Sequence, residues 1–513
     1  MKTILILLCI FSIGITSCNK DFLDLNPKDK ATSETFFKTE AQFQEALTAS
    51  YYYLRDLYFY DYVLGEMRSD NTHYDYYSQD RGNSALYREQ VADFTDDAIN
   101  IHTNTLWIAA YKGISKANVV INRIKDVEIA DAAKNTITGE AKFLRAFYYY
   151  KLVRYYGDVP LYLQEVGDTD QAFALRTAST EVYNSIIEDT KDAIQKLPTS
   201  TTFPQSGRAS KGAALILLAD VYMTQKKYAE AEPLLKQLTQ MNYGLQPNYA
   251  DVYALGNKNG KESIFEVQYK QGPDGQQNPL LYHFIPKVSN STNITGVNTN
   301  TITSGGFNTP TSDLISSYEP NDTRLDASIA IAEGTLVAGT FNPERIKSSV
   351  NYVAPEGKIG KPFIKKYLHA HTVANNTDDN WPVYRYAEVL LFMAECLNEQ
   401  GKSSEALPFL NLVRVRAGLP QSNQNNPVLL RGVIDHERRI ELAFENKRWL
   451  DLVRSGNAIK VMNAYGAALK ASGQHAYLTP NSYMVTSKHL LFPIPNRERI
   501  INTLLTQNPG YLF

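Results

Sequence analysis

Two stretches of this chain, 175 residues apart, spell the same pair of helices. In residues 383–400, Val383, Ala387, Leu390, Leu391, Ala394 and Leu397 recur at helical spacing on one face, and Gly401 ends the run as a C-cap. Ser403 or Ser404 then opens a partner helix with Ala406, Leu407, Leu410 and Val413 inward. In residues 210–241, Leu218, Ala219 and Tyr222 are followed by Ala231, Leu235 and Leu238. Placing Ala219 on Ala394 puts Ala231 on Ala406, Leu235 on Leu410 and Leu238 on Val413. Small residues let two antiparallel helices approach closely, and large ones fill the gap to the next pair. Such a pattern demands helix-on-helix layers. Further helical periodicities at 41–62, 103–125, 137–156 and 179–196 can supply more hairpins.

The spacing of small residues resembles the tetratricopeptide repeat, although copies so far apart form no tandem array. Residues 246–382 read differently. Phe265, Val267 and Tyr269 alternate with polar neighbours, which predicts a strand. From 289 to 313, 20 of 25 residues are Ser, Thr, Asn, Gly or Pro, too few apolar groups for a core, so a long surface loop is expected. The expected fold is mainly α: a single α-rich domain with tetratricopeptide-like hairpins and a loop-rich face with a few short strands. The helical scaffold spans about 41–245 and 383–470, with an irregular insertion at about 246–382.

The N-terminus sets a compartment. Lys2 precedes an apolar run from Ile4 to Ile15, and Thr16, Ser17 and Cys18 follow. This reads as a signal peptide over residues 1–17, too short to span a bilayer. A Cys directly after small residues resembles the lipobox of bacterial lipoproteins, with Cys18 as the lipidated first residue; a plain secretory signal with an incidental Cys18 is the alternative. Cys396, inside a helical pattern, reads as a small buried hydrophobe, so no disulfide framework is available.

Charge excludes several function classes. With 52 Lys+Arg against 54 Asp+Glu there is no basic excess for nucleic acid. No metal or catalytic motif completes itself. His436 begins a zinc-helix pattern, but its second ligand position holds Ile440. His369 and His371 alternate in what reads as a strand, with no third ligand nearby in sequence. Residues 256–262 miss a phosphate loop by one spacer, with Glu262 where a Ser or Thr belongs. A pair of catalytic carboxylates leaves no spacing signature, so a glycosidase stays open as an alternative. Glu437, Glu441 and Glu445 at i, i+4, i+8 read as an interhelical ion-pair network: Arg448 reaches Glu445, and Arg385, Arg414 or Arg416 meet the others.

In order along the chain come WIAAYKGISKANVVIN at 107–122, GEAKFLRAFYYYKLVRYYGDVP at 139–160, GRASKGAALILLADVY at 207–222, RYAEVLLFMAE at 385–395, RVRAGL at 414–419, ERRIELAFENKRWLDLVR at 437–454 and PIPNRERIINTLLTQNPGY at 493–511. Together with the lipobox, this series resembles the SusD/RagB family of outer-membrane nutrient-binding lipoproteins over nearly the whole mature chain. The resemblance implies a non-catalytic, lipid-anchored cell-surface protein without a cofactor or metal. It would cap a SusC-like TonB-dependent transporter and deliver glycans, or in some members peptides, to it. It also points to the loop after the first helix, residues 65–104, and to irregular central segments as the ligand face. Arg68, Asp70, Asn71, Tyr74, Tyr76, Tyr77 and Arg81 supply aromatic faces and charged groups there. Tyr282, His283 and Phe284 are weaker candidates. Equally, Asp70 and Asn71 could cap a turn and the tyrosines could pack on the scaffold. Trp107 and Trp449 match scaffold motifs and read as core, whereas Trp381 fits either role. With 34 Tyr and 3 Trp, any aromatic platform is built mainly from Tyr, which argues against starch itself. Peptide cargo, a surface hydrolase and a pure interaction scaffold are the rival functions.

Overall fold

The computed structural model describes residues 36–512; the leader and Cys18 lie outside the described residues. Twelve helices of eight or more residues carry these described residues. They are α1 (Glu40–Tyr62), α2 (Asn83–Asp93), α3 (Ile101–Arg123), α4 (Asp131–Tyr156), α5 (Ser179–Lys196) and α6 (Lys211–Thr224), then α7 (Tyr228–Thr239), α8 (Tyr386–Glu399), α9 (Ser403–Arg416), α10 (Pro427–Glu441), α11 (Arg448–Ser455) and α12 (Ala458–Ala471). All four additional helical periodicities are present, as α1, α3, α4 and α5. The fold is mainly α, as expected.

Packing proceeds helix to helix: α1 on α3, α3 on α4, α4 on α5, α5 on α6, α6 on α7, α7 on α8, and α8 on both α9 and α10. The two hairpins that match in sequence, α6–α7 and α8–α9, are therefore neighbours in space. Their small residues Ala219, Ala231, Ala394 and Ala406 are all fully buried at the seams. The Cys396 thiol donates to the Tyr228 carbonyl at 3.0 Å across that contact. The same logic holds α1, α3 and α4 together. A Cβ on Gly113 would sit 2.2 Å from the Tyr148 ring, so only glycine admits Tyr148 there. The Tyr148 hydroxyl then donates to the Ser50 carbonyl at 2.7 Å, and Ser50 donates to the Gly113 carbonyl at 3.0 Å.

Among the described residues seven strands make three small sheets. The pair β1 (Thr72–His73) and β3 (Thr309–Pro310) is antiparallel, as is β2 (Ser263–Val267) with β7 (Trp381–Arg385). In the third, β4 (Ile329–Val337) lies between β5 (Thr340–Ser348) and β6 (Ile359–Ile364). Strand β2 forms where expected, but all five residues are buried rather than alternate ones, because it is covered on both faces. Trp381, Trp107 and Trp449 are all core residues. Residues 289–313 differ from a plain surface loop: Ser291, Thr301, Phe307 and Asn308 are buried. The segment buries them by satisfying its own polar groups, as where the Thr301 hydroxyl donates to the Pro286 carbonyl at 2.8 Å.

The carboxylate row is an ion-pair network. Glu437 takes Arg324 at 2.5 Å and Arg414 at 2.9 Å. Glu441 takes Arg385 at 2.5 Å, Arg324 at 3.0 Å, and Arg416. Glu445 takes Arg385 at 2.9 Å and Lys366 at 3.0 Å. Two details depart from the sequence reading. Helix α10 stops at Glu441, and Phe444 and Asn446 have positive φ, so Glu445 reaches Arg385 from a turn rather than from the helix face. Arg448 leaves Glu445 and pairs with Asp70 instead, at 2.8 Å.

Candidate functional site

Helix α1 ends in a single π-helical turn, Val63–Met67, and the chain then turns inward. Arg68 is fully buried. It donates to Asp96 at 2.5 Å and to the Val91 and His489 carbonyls, and lies over the Phe94 and Phe492 rings at 4.5 and 4.3 Å. Asp70 is clamped by Arg448 and Arg439; burial opposes its charge, but the two guanidiniums hold its carboxyl below the ordinary aspartate value. The Asn71 amide donates to Glu66 at 2.9 Å and accepts from Arg439 at 2.9 Å. Tyr74 is buried and donates to Asp93 at 2.8 Å. Tyr282 is buried with its hydroxyl 2.7 Å from His371 Nε2, and Phe284 packs edge-on to Tyr62 at 5.2 Å. His283 is half-buried and stays neutral because burial of its ring drives its pKa to about 3. Expected as ligand contacts, these residues instead form the interior that anchors the loops. Arg68, Asp70, Asn71 and Tyr74 are bonded to partners inside the protein, and freeing one would strand a buried group.

Tyr76, Tyr77 and Arg81 stay near the surface, Tyr77 half-buried beside Tyr76. The Tyr76 ring stacks on Tyr477 with centroids 4.2 Å apart and planes within 2°. Arg81 lies over Tyr76 at 4.8 Å and pairs with Glu89 at 2.7 Å. Tyr477, which sequence reasoning missed, comes from the segment after α12. Its hydroxyl is 2.9 Å from His73 Nε2 and 2.8 Å from His475 Nδ1, so its ring is held from two sides. Burial keeps His73 neutral, with a pKa near 3, and lowers His475 as well. The available sequence signal was an aromatic and histidine cluster, His475 and Tyr477, between Gly473 and Pro480.

A third segment completes the face. The β1–β3 pairing sets His73 opposite Thr309, and the Asp75 amide donates to the Gly306 carbonyl at 2.7 Å. Gly306 has φ +73°, and a Cβ there would stand 2.8 Å from Asp75 Cβ and 2.9 Å from Lys287 Cγ. Lys361 pairs with Asp75 at 2.5 Å, and Lys287 lies 3.6 Å from Asp80. Three segments far apart in sequence thus meet in one patch: stacked phenol rings edged by ammonium, guanidinium and carboxylate groups. Tyr477 and Arg81 cover the faces of Tyr76, so the patch offers ring edges and hydroxyls together with a rim of donors and acceptors.

The two histidines 369 and 371 do not form a metal pair. They lie outside any strand; His369 Nδ1 is 2.5 Å from Asp379, and His371 Nδ1 is 2.8 Å from the His369 carbonyl. Among the described residues no group of three or more His, Cys, Asp or Glu is arranged to hold a metal ion. Among them, too, no helix is long and apolar enough to cross a membrane.

The helical-hairpin scaffold is shared with known proteins. The profile of the SusD family matches residues 261–511, and a second, described as "Starch-binding associating with outer membrane", matches residues 21–223. SusD-like protein P2 of Formosa agariphila is 30% identical, with 100% of both chains covered. A solved laminarin-binding SusD-like protein is 26% identical with a TM-score of 0.73, covering 92% of this chain and 100% of that one. A SusD superfamily structure from Parabacteroides distasonis is 25% identical with a TM-score of 0.71, covering 94% and 100%. The chain belongs to the SusD/RagB family.

Proposed function

We propose that this protein is a cell-surface glycan-binding lipoprotein. It is anchored to the outer membrane through Cys18, holds oligo- or polysaccharide on the Tyr76–Tyr477 face, and passes it unaltered to a SusC-like TonB-dependent transporter. Support comes from the family, from a relative of the same fold named for laminarin binding, and from a family description that couples starch binding with the outer membrane. The single observation that carries the reading is the stacked Tyr76–Tyr477 pair with Arg81 over Tyr76 and the Asp75–Lys361 ion pair beside it. Pyranose rings stack by their C–H faces on aromatic rings, while charged side chains bond their hydroxyls. A peptide could have been held by its termini or backbone on Arg68 and Asp70, but both are enclosed in ion pairs. The test is a glycan array with the purified protein, followed by calorimetry and product analysis on any hit. Saturable binding to one polysaccharide class with no shortened products supports the proposal. Silence across the array, or release of shorter oligosaccharides, refutes it.

A further inference from the structure

The charges around the aromatic pair occur almost entirely as closed pairs. Arg81 gives Nη1 and Nη2 to Glu89 at 2.9 and 2.7 Å. Lys361 gives Nζ to Asp75 at 2.5 Å. Lys287 faces Asp80 at 3.6 Å and donates to the Ile302 carbonyl at 3.0 Å. Lys470 is the exception: its charge acts on the buried Asp93 behind the patch, but its ammonium donates to a backbone carbonyl, that of Pro480, at 2.9 Å. The two histidines that hold Tyr477 add no positive charge, since burial keeps both in the neutral form.

A sulfate or carboxylate on a polysaccharide needs a cation with free N–H groups, and binds best to a fork with none of its bonds taken. Here an anion must either pull Arg81 from Glu89 or Lys361 from Asp75, or use a spare N–H while standing within a few ångströms of that carboxylate. The carboxylate left behind would then face the new anion within a few ångströms, and Glu89, itself buried, would lose its partner. A hydroxyl meets no such obstacle. It donates to a spare lone pair of a paired carboxylate and accepts from a spare N–H of a paired cation, so it binds both ends of an intact ion pair.

From this, and resting on the reading of the Tyr76–Tyr477 face as the ligand site, we infer that the ligand is a neutral glycan and that sulfated and uronic-acid polymers are excluded. The rim selects because the cations flanking the rings, Arg81, Lys361 and Lys287, each face a carboxylate, while the stacked rings supply the attraction common to all sugars.

The experiment compares matched probes by calorimetry: laminarin with sulfated laminarin, dextran with dextran sulfate, and alginate as the uronate. The neutral member of each pair is expected to bind at least about 10-fold more tightly, with little change in affinity as salt rises from about 20 to about 500 mM. Asp75→Asn, which frees Lys361, and Glu89→Gln, which frees Arg81, are each expected to raise affinity for the sulfated chain by about 10-fold. Two variants guard against one failing to fold. Tighter wild-type binding of the anionic member, or a steep loss of affinity with salt, overturns the inference. So does the absence of any gain in both variants. If anionic binding is found and Tyr76→Ala abolishes it, only the inference about charge falls. If Tyr76→Ala changes no binding at all, the site reading falls and takes the inference with it.

Discussion

Replacing Glu445 by Gln removes one charge from the most enclosed part of the ion-pair network. The carboxylate accepts from Arg385 at 2.9 and 3.0 Å, from Lys366 at 3.0 Å and from the Tyr253 hydroxyl at 2.7 Å. Burial works against its charge, yet Arg385 and Lys366 hold its pKa down at about 2, against 4.5 for an ordinary glutamate. That difference corresponds to roughly 3 kcal/mol of stability, the same order as the ~3–5 kcal/mol seen when one partner of a buried pair is removed. A carboxylate with a depressed folded-state pKa contributes fully above its unfolded pKa and loses the contribution as pH falls through the folded one. Glu445→Gln should therefore destabilise the protein by roughly 3 kcal/mol at pH 7. The gap should close progressively between the ordinary value of 4.5 and about 2. Guanidinium unfolding followed by tyrosine and tryptophan fluorescence at neutral and acid pH measures both quantities. A loss below about 1 kcal/mol at pH 7, or one that persists unchanged in acid, would refute the reasoning. The position matters because Arg385 joins β7 to α8 and Lys366 follows β6, so this cluster ties the central strands to the helical scaffold.

Other expectations follow from single residues. Gly306→Ala forces a Cβ against Asp75 at a positive φ, and should cost about 1–2 kcal/mol of stability and weaken glycan binding by displacing the rim; unchanged calorimetric affinity would argue against that segment's role. Burial raises the Asp93 carboxyl to about 7, so its ionisation penalises the folded state increasingly as pH rises from 3.8 to about 7. Asp93→Asn should then stabilise the protein at about pH 8 by up to about 4 kcal/mol and leave it unchanged near pH 3; equal effects at both pH values would contradict this. The Cys396 thiol, pushed up to about 12 by burial, should resist alkylation at about pH 8 until the chain is unfolded; rapid labelling of the native protein would show the α7–α8 seam to be open.

How much was legible in the sequence depended on whether the determining contact was local. Helices α1, α3, α4 and α5 announce themselves by period, and the alanines of α6–α7 and α8–α9 identify two equivalent hairpins. Their stacking on each other needed the fold. Helix α11 is eight residues long, too short for a periodic signal. At the candidate site, Tyr76, Tyr77 and Arg81 could be chosen as surface aromatics and a charge in a loop. Arg68 and Asp70 carry the same local credentials, yet they are enclosed by His489 and Arg448, which lie hundreds of positions away. Tyr477 went unread for the same reason, since the histidine that orients its ring is 404 positions earlier. Residue type marks a candidate, and long-range burial decides it.

The central claim is that the stacked tyrosines hold the glycan, and calorimetry on Tyr76→Ala and Tyr477→Ala with the best array hit tests it most directly. Loss of a well-packed stacking ring in a binding centre costs about 2 kcal/mol, or roughly 30-fold in Kd. Both variants should show that loss; Tyr76→Ala should unfold at a midpoint close to the wild type's, whereas Tyr477→Ala also takes a hydroxyl from buried His73 and should unfold somewhat earlier while still folding. Wild-type affinity in both folded variants would contradict the account and move the ligand elsewhere on the protein.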